Sequence, residues 1–473
     1  MAVVHQPDPA ARSLDLDAFA ATLSGELLRP ASPGYDAARE VINTLYDKRP
    51  IAIVRAADAA DVARTVTLAA ETGVELAIKS GGHSVAGHSV TDGLLLDLGA
   101  MRGLHIDPER RLAWAQPGLT AGEYTNAAAA HGLATPFGDT GNVGIAGLTL
   151  GGGIGFLVRK YGLAIDHLVS VELVTADGRI LTVSEERHPD LFWAIRGGGG
   201  NFGVVTRFQF RLVPVGQTFA GALFLPLTRD VLRGLVPVAA SAPEELSTIS
   251  FIMPVPPLPV VPEEHHFKPS LVVMFVHASD DIAAGRAALE PFRALATPLA
   301  EAAFPMPYPG IYEFTAEGGK RGNDVVRSLF LDTLDDAAID TILARMAAPS
   351  SPRAMTQIRV LGGAMARVPV EATAFAHRDA NVLIALLTAF EDAAELPIHE
   401  AWTQAYFEEL RPKATGVYSN FVADEGDGRV RDAYPDATYA RLAQVKRRYD
   451  PTNLFRRNQN IRPAGSPRSA GPV

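Results

Sequence analysis

His83 directly follows two glycines in Ser80-Gly81-Gly82-His83-Ser84, which itself comes straight after the mostly apolar stretch Val74 to Ile78. Glycines let a backbone approach the oxygens of a pyrophosphate, since no Cβ intervenes and positive φ costs little. The imidazole beside them offers a nucleophilic nitrogen to whatever the glycines cradle. Taken alone, the corner reads equally as a glycine turn with a surface histidine.

Two further clusters change that balance. They run from Gly138-Asp139-Thr140-Gly141-Asn142-Val143-Gly144 through Gly147 to Gly151-Gly152-Gly153-Ile154-Gly155, and over Arg196 to Val205 with four consecutive glycines. A tail follows in which Val445 to Phe455 leads into Asn458-Gln459-Asn460-Ile461. With these motifs in this order, the chain resembles the berberine bridge enzyme-like, FAD-linked oxidases of the vanillyl-alcohol oxidase and p-cresol methylhydroxylase superfamily. The resemblance runs from about Arg49 to Val215 and again over Tyr439 to Pro463.

That resemblance implies FAD, joined through the 8α carbon of its ring to His83. It assigns cofactor contacts to Ser80, Gly81, Gly82, Ser84, His88, Thr140, Gly144, Gly147, Gly151, Gly152, Gly153, Gly155, Asn458 and Asn460. His88 echoes the first histidine, but its spacing suits a supporting role rather than attachment. Many relatives carry a second bond from a cysteine; here Thr140 stands at that position and the chain has no cysteine at all. The flavin is therefore expected to be attached through His83 only, as in singly linked bacterial members. Leu361 to Ala364, Ala366 to Pro369 and Phe375 to Asp379 favour the branch found in antibiotic pathways.

Tyr418-Ser419-Asn420 stands where the family carries a tyrosine-x-asparagine signature on a strand facing the flavin. In some members the tyrosine takes a hydroxyl proton while hydride leaves the substrate. A phenol near pKa 10 needs a nearby cation or partner to lower it before it can do so at neutral pH, and Arg411 and Lys413 are too close in sequence to assign. A buried tyrosine with a satisfied hydroxyl is the structural alternative. Val143, three residues past Thr140, resembles a gate where oxygen reaches the flavin, and its small size is the oxidase-like choice.

Composition fits a folded enzyme. With 473 residues, 47% hydrophobic and 20% charged, the chain can build more than one core. A formal charge of −10 argues against nucleic acid and anionic membrane as partners, leaving a small-molecule substrate and O2, with oligomeric state open. No apolar run reaches membrane-span length, and Met1 to Leu28 lacks the apolar core of a signal peptide, so a cytoplasmic location is expected. Glu263-Glu264-His265-His266 reads as a solvated loop rather than a metal site, and no metal is expected. Asp97 could orient a histidine, although aspartates ending strands usually cap turns.

The positioning elements are expected to be α+β. A strand over 50–54, a helix between Asp58 and Gly73, and a strand over 75–79 carry the His83 corner; Gly-x-Gly-x-x-Gly is missing after the first strand, which disfavours nicotinamide. Further strands are expected over 94–98, 112–115, 168–175, 180–183 and 204–212, with Asp177-Gly178 as a hairpin turn. The expected layout is a helical lead-in over 1–46, a two-lobed FAD-binding domain of the p-cresol methylhydroxylase type over 47–215, and a substrate domain over 216–430 built as an antiparallel sheet flanked by helices. A segment over 431–465 returns to the FAD domain, and a loose tail covers 466–473. The function expected is an FAD-dependent oxidase moving hydride from a C–H next to oxygen or nitrogen and reducing O2 to hydrogen peroxide. The alternatives are a flavin dehydrogenase with another acceptor and a drug-binding resistance protein on the same fold.

Overall fold

Asp58 and Gly73 bound the helix Ala59–Thr72 as capping chemistry requires: the Asp58 carboxylate accepts from Asp61 N, and Gly73 takes φ +70°. Val62, Val66 and Ala69, spaced along one face, pack onto Val54, Leu94 and Leu96. The computed structural model, which describes residues 14–466 apart from Asp424, shows a four-stranded sheet in the order Glu26–Leu28, Ala52–Arg55, Leu94–Asp97, Leu76–Lys79. The last three strands are parallel, with Leu94–Asp97 lying between the two strands that flank the helix.

The lead-in differs from expectation. Between the short helices Leu16–Ala20 and Tyr35–Arg39 it forms the strand Glu26–Leu28, which pairs antiparallel with Ala52–Arg55 and buries Leu28. The free edge of the first sheet offers backbone bonds that a continuous helix would leave unmade. The tail beyond Ser466, like Met1 to Ser13, lies outside the described residues.

A second, five-stranded antiparallel sheet joins Leu104–Asp107, Leu112–Ala115, Val204–Arg211, Leu168–Val174 and Ile180–Ser184. Its hairpin turns at Asp177-Gly178, where Gly178 has φ +76° and donates to Thr175 O at 2.9 Å. Tyr124, Phe137 and Phe210 pack edge to face in its core.

The seven-stranded antiparallel sheet runs in the order Ala300–Pro307, Gln217–Pro226, Pro269–His277, Leu246–Pro254, Arg353–Val360, Val382–Phe390, Asn323–Leu331. One face carries Leu223, Leu225, Ile252, Leu271, Val273, Ile358 and Ile384 in a core with helix residues such as Leu232, Leu289, Ile339 and Phe407. The opposite face meets the glycine-rich segments: Phe330 and Leu383 pack with Ile154, Phe375 and Tyr418. Pro254 ends a strand, and the proline-rich stretch after it is a loop in which Glu263–His265 forms one exposed turn. His266 there bonds Val261 O at 2.9 Å.

Candidate active site

The His83 corner closes the parallel strand Leu76–Lys79. Gly81 and Gly144 meet backbone to backbone: a Cβ on Gly81 would lie 2.4 Å from Gly144 N, and one on Gly144 2.5 Å from Gly81 N. Two separate glycine motifs are thereby fused into one surface. Ser80 Oγ donates to Pro117 O at 2.6 Å and Ser84 Oγ accepts from His88 N at 3.2 Å, which ties His88 to the corner. Asp97 accepts from Gly99 N at 2.9 Å and lies 3.5 Å from Lys79 Nζ, so it caps a turn and pairs with a lysine.

The His83 ring has no hydrogen-bond partner among the described residues, and burial alone holds its pKa down to about 4. At neutral pH it is an uncharged imidazole with a free lone pair, the form needed for attack on an electrophilic carbon.

The tail comes back to this corner. Arg457 donates to the carbonyls of Gly87 and Val90 at 3.1 and 3.0 Å. Asn201, from the four-glycine segment, donates to Gln459 O and accepts from Ile461 N. The fully buried Lys446–Asp450 pair, 2.7 Å apart, holds the turn: Lys446 also donates to the carbonyls of Asn201 and Phe455, and Asp450 accepts from Leu454 N and Phe455 N. Oδ1 of Asn458 and of Asn460 are buried without a partner among the described residues. Two orphaned amide oxygens, a side-chain-free cradle at 81 and 144, and open space around Gly147 fit a dinucleotide with a polar ring edge.

Other glycines of the same list serve chain packing. A Cβ on Gly151 would strike the Asn420 amide, on Gly153 the Ala164 methyl, and on Gly155 the Phe137 carbonyl at 2.0 Å; Gly152, at φ +139°, faces Phe375 and Tyr418.

Tyr418 and Asn420 are not on a strand. Backbone bridging between Phe330 and Gly416 ends there, and Ser419–Phe421 forms a single 3-10 turn closed by Phe421 N to Tyr418 O at 2.9 Å. The tightness of that turn brings the Asn420 amide nitrogen to 2.9 Å from the Tyr418 hydroxyl, closer than strand neighbours two apart would stand. The hydroxyl also accepts from Gly153 N at 3.0 Å, and Asn420 donates to Leu148 O.

Burial raises the Tyr418 pKa above 10, against the pull of those donors and of Arg359. Neither basic residue near in sequence reaches Tyr418, for Lys413 pairs with Asp335 and Arg411 with Glu408; the cation that acts on it is Arg359, whose pull burial outweighs. Arg359 is 3% exposed, donates to Asp139 at 2.9 Å and to Ile154 O at 3.1 Å, and sits over the Phe421 ring. Sequence reading missed Arg359, Gln357 and Asp139. Alternation along a strand in which Gln357 and Arg359 break an apolar face was the signal available.

Thr140 and Val143 lie on the loop between these groups. Val143 is half-buried, and its carbonyl accepts from Ala121 N at 2.8 Å. The loop is held from the seven-stranded side: Thr315 donates to Asp139 O and Asn142 to Gly319 O. A cavity of about 620 Å³ borders the same loop at Gly141 and Asn142, lined also by Asn126, Tyr312 and Glu313, and it touches neither His83 nor Tyr418.

The sequence comparisons agree with this architecture. Residues 50–184 match the FAD binding domain family and residues 417–462 the berberine and berberine-like family. The (R)-6-hydroxynicotine oxidase of Paenarthrobacter nicotinovorans is 31% identical over 94% of this chain and 98% of its own. Berberine bridge enzyme-like 17 of Arabidopsis thaliana is 30% identical over 89% of this chain and 86% of its own. The crystal structure of 6-hydroxy-D-nicotine oxidase from Arthrobacter nicotinovorans superposes with a TM-score of 0.83 at 28% identity, covering 93% of this chain and 98% of that one. The chain belongs to the berberine bridge enzyme-like family of FAD-linked oxidoreductases. Among the described residues no helix is long and apolar enough to cross a membrane.

Proposed function

We propose that the chain is an oxidase that holds FAD through a single bond to His83 and oxidises a small organic substrate at a C–H next to oxygen or nitrogen. Bound FAD would supply the two-electron acceptor for that hydride and pass the electrons to O2 as hydrogen peroxide. The observation that carries this reading is the neutral, unbonded imidazole of His83 on a glycine corner pressed against Gly144. The 31% identity to a protein named as an oxidase supports it.

The chain's own residues divide the remaining work. Ser80 to Ser84, Thr140 to Gly144 and the amides of Asn458 and Asn460 would hold the cofactor. Tyr418 would meet the substrate: its oxygen already accepts two hydrogen bonds, which favour the phenolate that would take the substrate's hydroxyl proton. Val143, with only a small side chain at the loop, leaves room for oxygen.

The test is an acid-quenched denaturing gel viewed under ultraviolet light, with peroxide release measured on a panel of alcohols and amines. Flavin fluorescence on the wild-type band, its loss in His83→Ala, and peroxide from at least one substrate are expected. A wild-type band without flavin overturns the attachment, and turnover only with an artificial acceptor turns the enzyme into a dehydrogenase.

A further inference from the structure

The strand Arg353–Val360 lies inside the seven-stranded sheet, between Leu246–Pro254 and Val382–Phe390. Its side chains alternate. Thr356 bonds the Tyr406 hydroxyl at 2.9 Å and Ile358 and Val360 join the helix-side core. Gln357 and Arg359 point the other way, toward the glycine segment, where Arg359 reaches Asp139 and Ile154. In register Gln357 is flanked by Phe251 and Ala385, so its cross-strand neighbours are apolar.

Every nitrogen of Arg359 has a partner. Its three nitrogens donate to Gln357 Oε1 at 2.8 Å, Ile154 O at 3.1 Å and the Asp139 carboxylate at 2.9 Å. Three of its five N–H groups are taken and its charge is cancelled by Asp139, which leaves it a weak grip for an anionic substrate. Because a guanidinium nitrogen only donates, the Gln357 atom facing it must be the oxygen, and the amide nitrogen is turned away. That nitrogen has no acceptor among the described residues, although Gln357 is only 6% exposed. Its two N–H groups are accessible and free for an acceptor that enters there.

We propose that Gln357 is a specificity-determining residue that donates from Nε2 to an uncharged oxygen or nitrogen of the substrate. The Arg359–Asp139 pair fixes the amide in that orientation and keeps the site neutral. The enzyme accordingly selects uncharged, acceptor-bearing substrates over carboxylates and ammonium ions. This deepens the oxidase reading above and rests on its placing substrate beside Tyr418.

The test uses the flavin-loaded enzyme at neutral pH, with benzyl alcohol, benzylamine and benzoate as neutral, cationic and anionic probes and the flavin absorbance as the binding signal. Benzyl alcohol is expected to half-saturate at a concentration at least tenfold below the two ions. Gln357→Met should weaken benzyl alcohol by about tenfold, with covalent flavin retained. Gln357→Glu, which can accept but not donate when ionised, should reverse the order and favour benzylammonium. A wild type that prefers benzoate or responds to none of the probes, a Gln357→Met enzyme with unchanged benzyl alcohol binding, or a Gln357→Glu enzyme with unchanged preference overturns the proposal. Peroxide is followed in parallel: benzyl alcohol that binds as expected without forming peroxide counts against the oxidase and leaves the specificity assignment standing.

Discussion

Covalent attachment should proceed in mildly acidic solution where an ordinary histidine would have stopped. Attack on the 8α carbon needs the imidazole lone pair, which protonation removes. Burial holds the His83 pKa down to about 4 from 6.5, so at pH 5.5 all but about 3% of the ring remains neutral, against about a tenth for an exposed histidine. The displacement is worth about 3 kcal/mol. Its sign follows from the folded value lying below the unfolded one: between pH 6.5 and 4 the unfolded chain binds the proton first, so apo-protein stability falls as pH drops through that window. The assay mixes apo-protein with FAD at pH 5.5 and 7.5, quenches samples in acid, and follows flavin fluorescence on the denatured band. The two rates should agree within about twofold, and His83→Ala should give none at either pH. A tenfold slower rate at pH 5.5, with a midpoint near 6.5, would refute the claim that burial governs this nitrogen.

Three other substitutions probe the site. Tyr418→Phe should lower kcat by about 10²–10⁴; because the wild-type phenol titrates above 10, kcat/KM for an alcohol should keep rising toward pH 10 and the variant should lose that slope, whereas a wild-type plateau by pH 8 would remove Tyr418 as the proton acceptor. Val143→Leu should slow reoxidation of the reduced enzyme by O2 in stopped-flow mixing while leaving anaerobic reduction by substrate nearly unchanged; equal reoxidation rates would dismiss the gate. Lys446→Met strands a carboxylate that is fully buried beside it, at a cost of about 3–5 kcal/mol, read from chemical denaturation of the holoenzyme; a loss under about 1 kcal/mol would show that the backbone donors to Asp450 suffice without the lysine.

The division between what the residues announced and what they hid follows sequence distance. Elements whose determinants are local were legible: Asp58 and Gly73 cap their helix as expected, Asp177-Gly178 turns its hairpin, and Leu112–Ala115 is a strand to the residue. The glycine corner after Leu76–Lys79 was legible for a related reason, since adjacent glycines state their own backbone geometry. The Tyr418 turn was misread because tyrosine-x-asparagine is compatible with a strand. What bends it is the distant pull of Leu148 O on Asn420 and the backbone bridge from Phe330, neither visible in the dipeptide itself. The edge strand Glu26–Leu28 was hidden likewise, because three residues without strong alternation acquire their conformation only from the partner edge at Ala52–Arg55.

Charge around Tyr418 was the least legible feature, and its chemistry shows why. A cation that acts on a buried phenol must itself be buried, and a buried cation survives only if a distant segment supplies its counterion. Arg411 and Lys413, the basic residues nearest in sequence, are free to turn outward, and each takes an acidic partner in the helical layer. Arg359 comes instead from the middle of a sheet, and its carboxylate partner Asp139 stands 220 positions away. The same Asp139 borders Thr140. The loop is held by an ion pair and by Thr315 and Asn142 bonding across to the seven-stranded side, so the contacts that fix the Thr140 loop are the ones that orient the strand carrying Gln357 and Arg359.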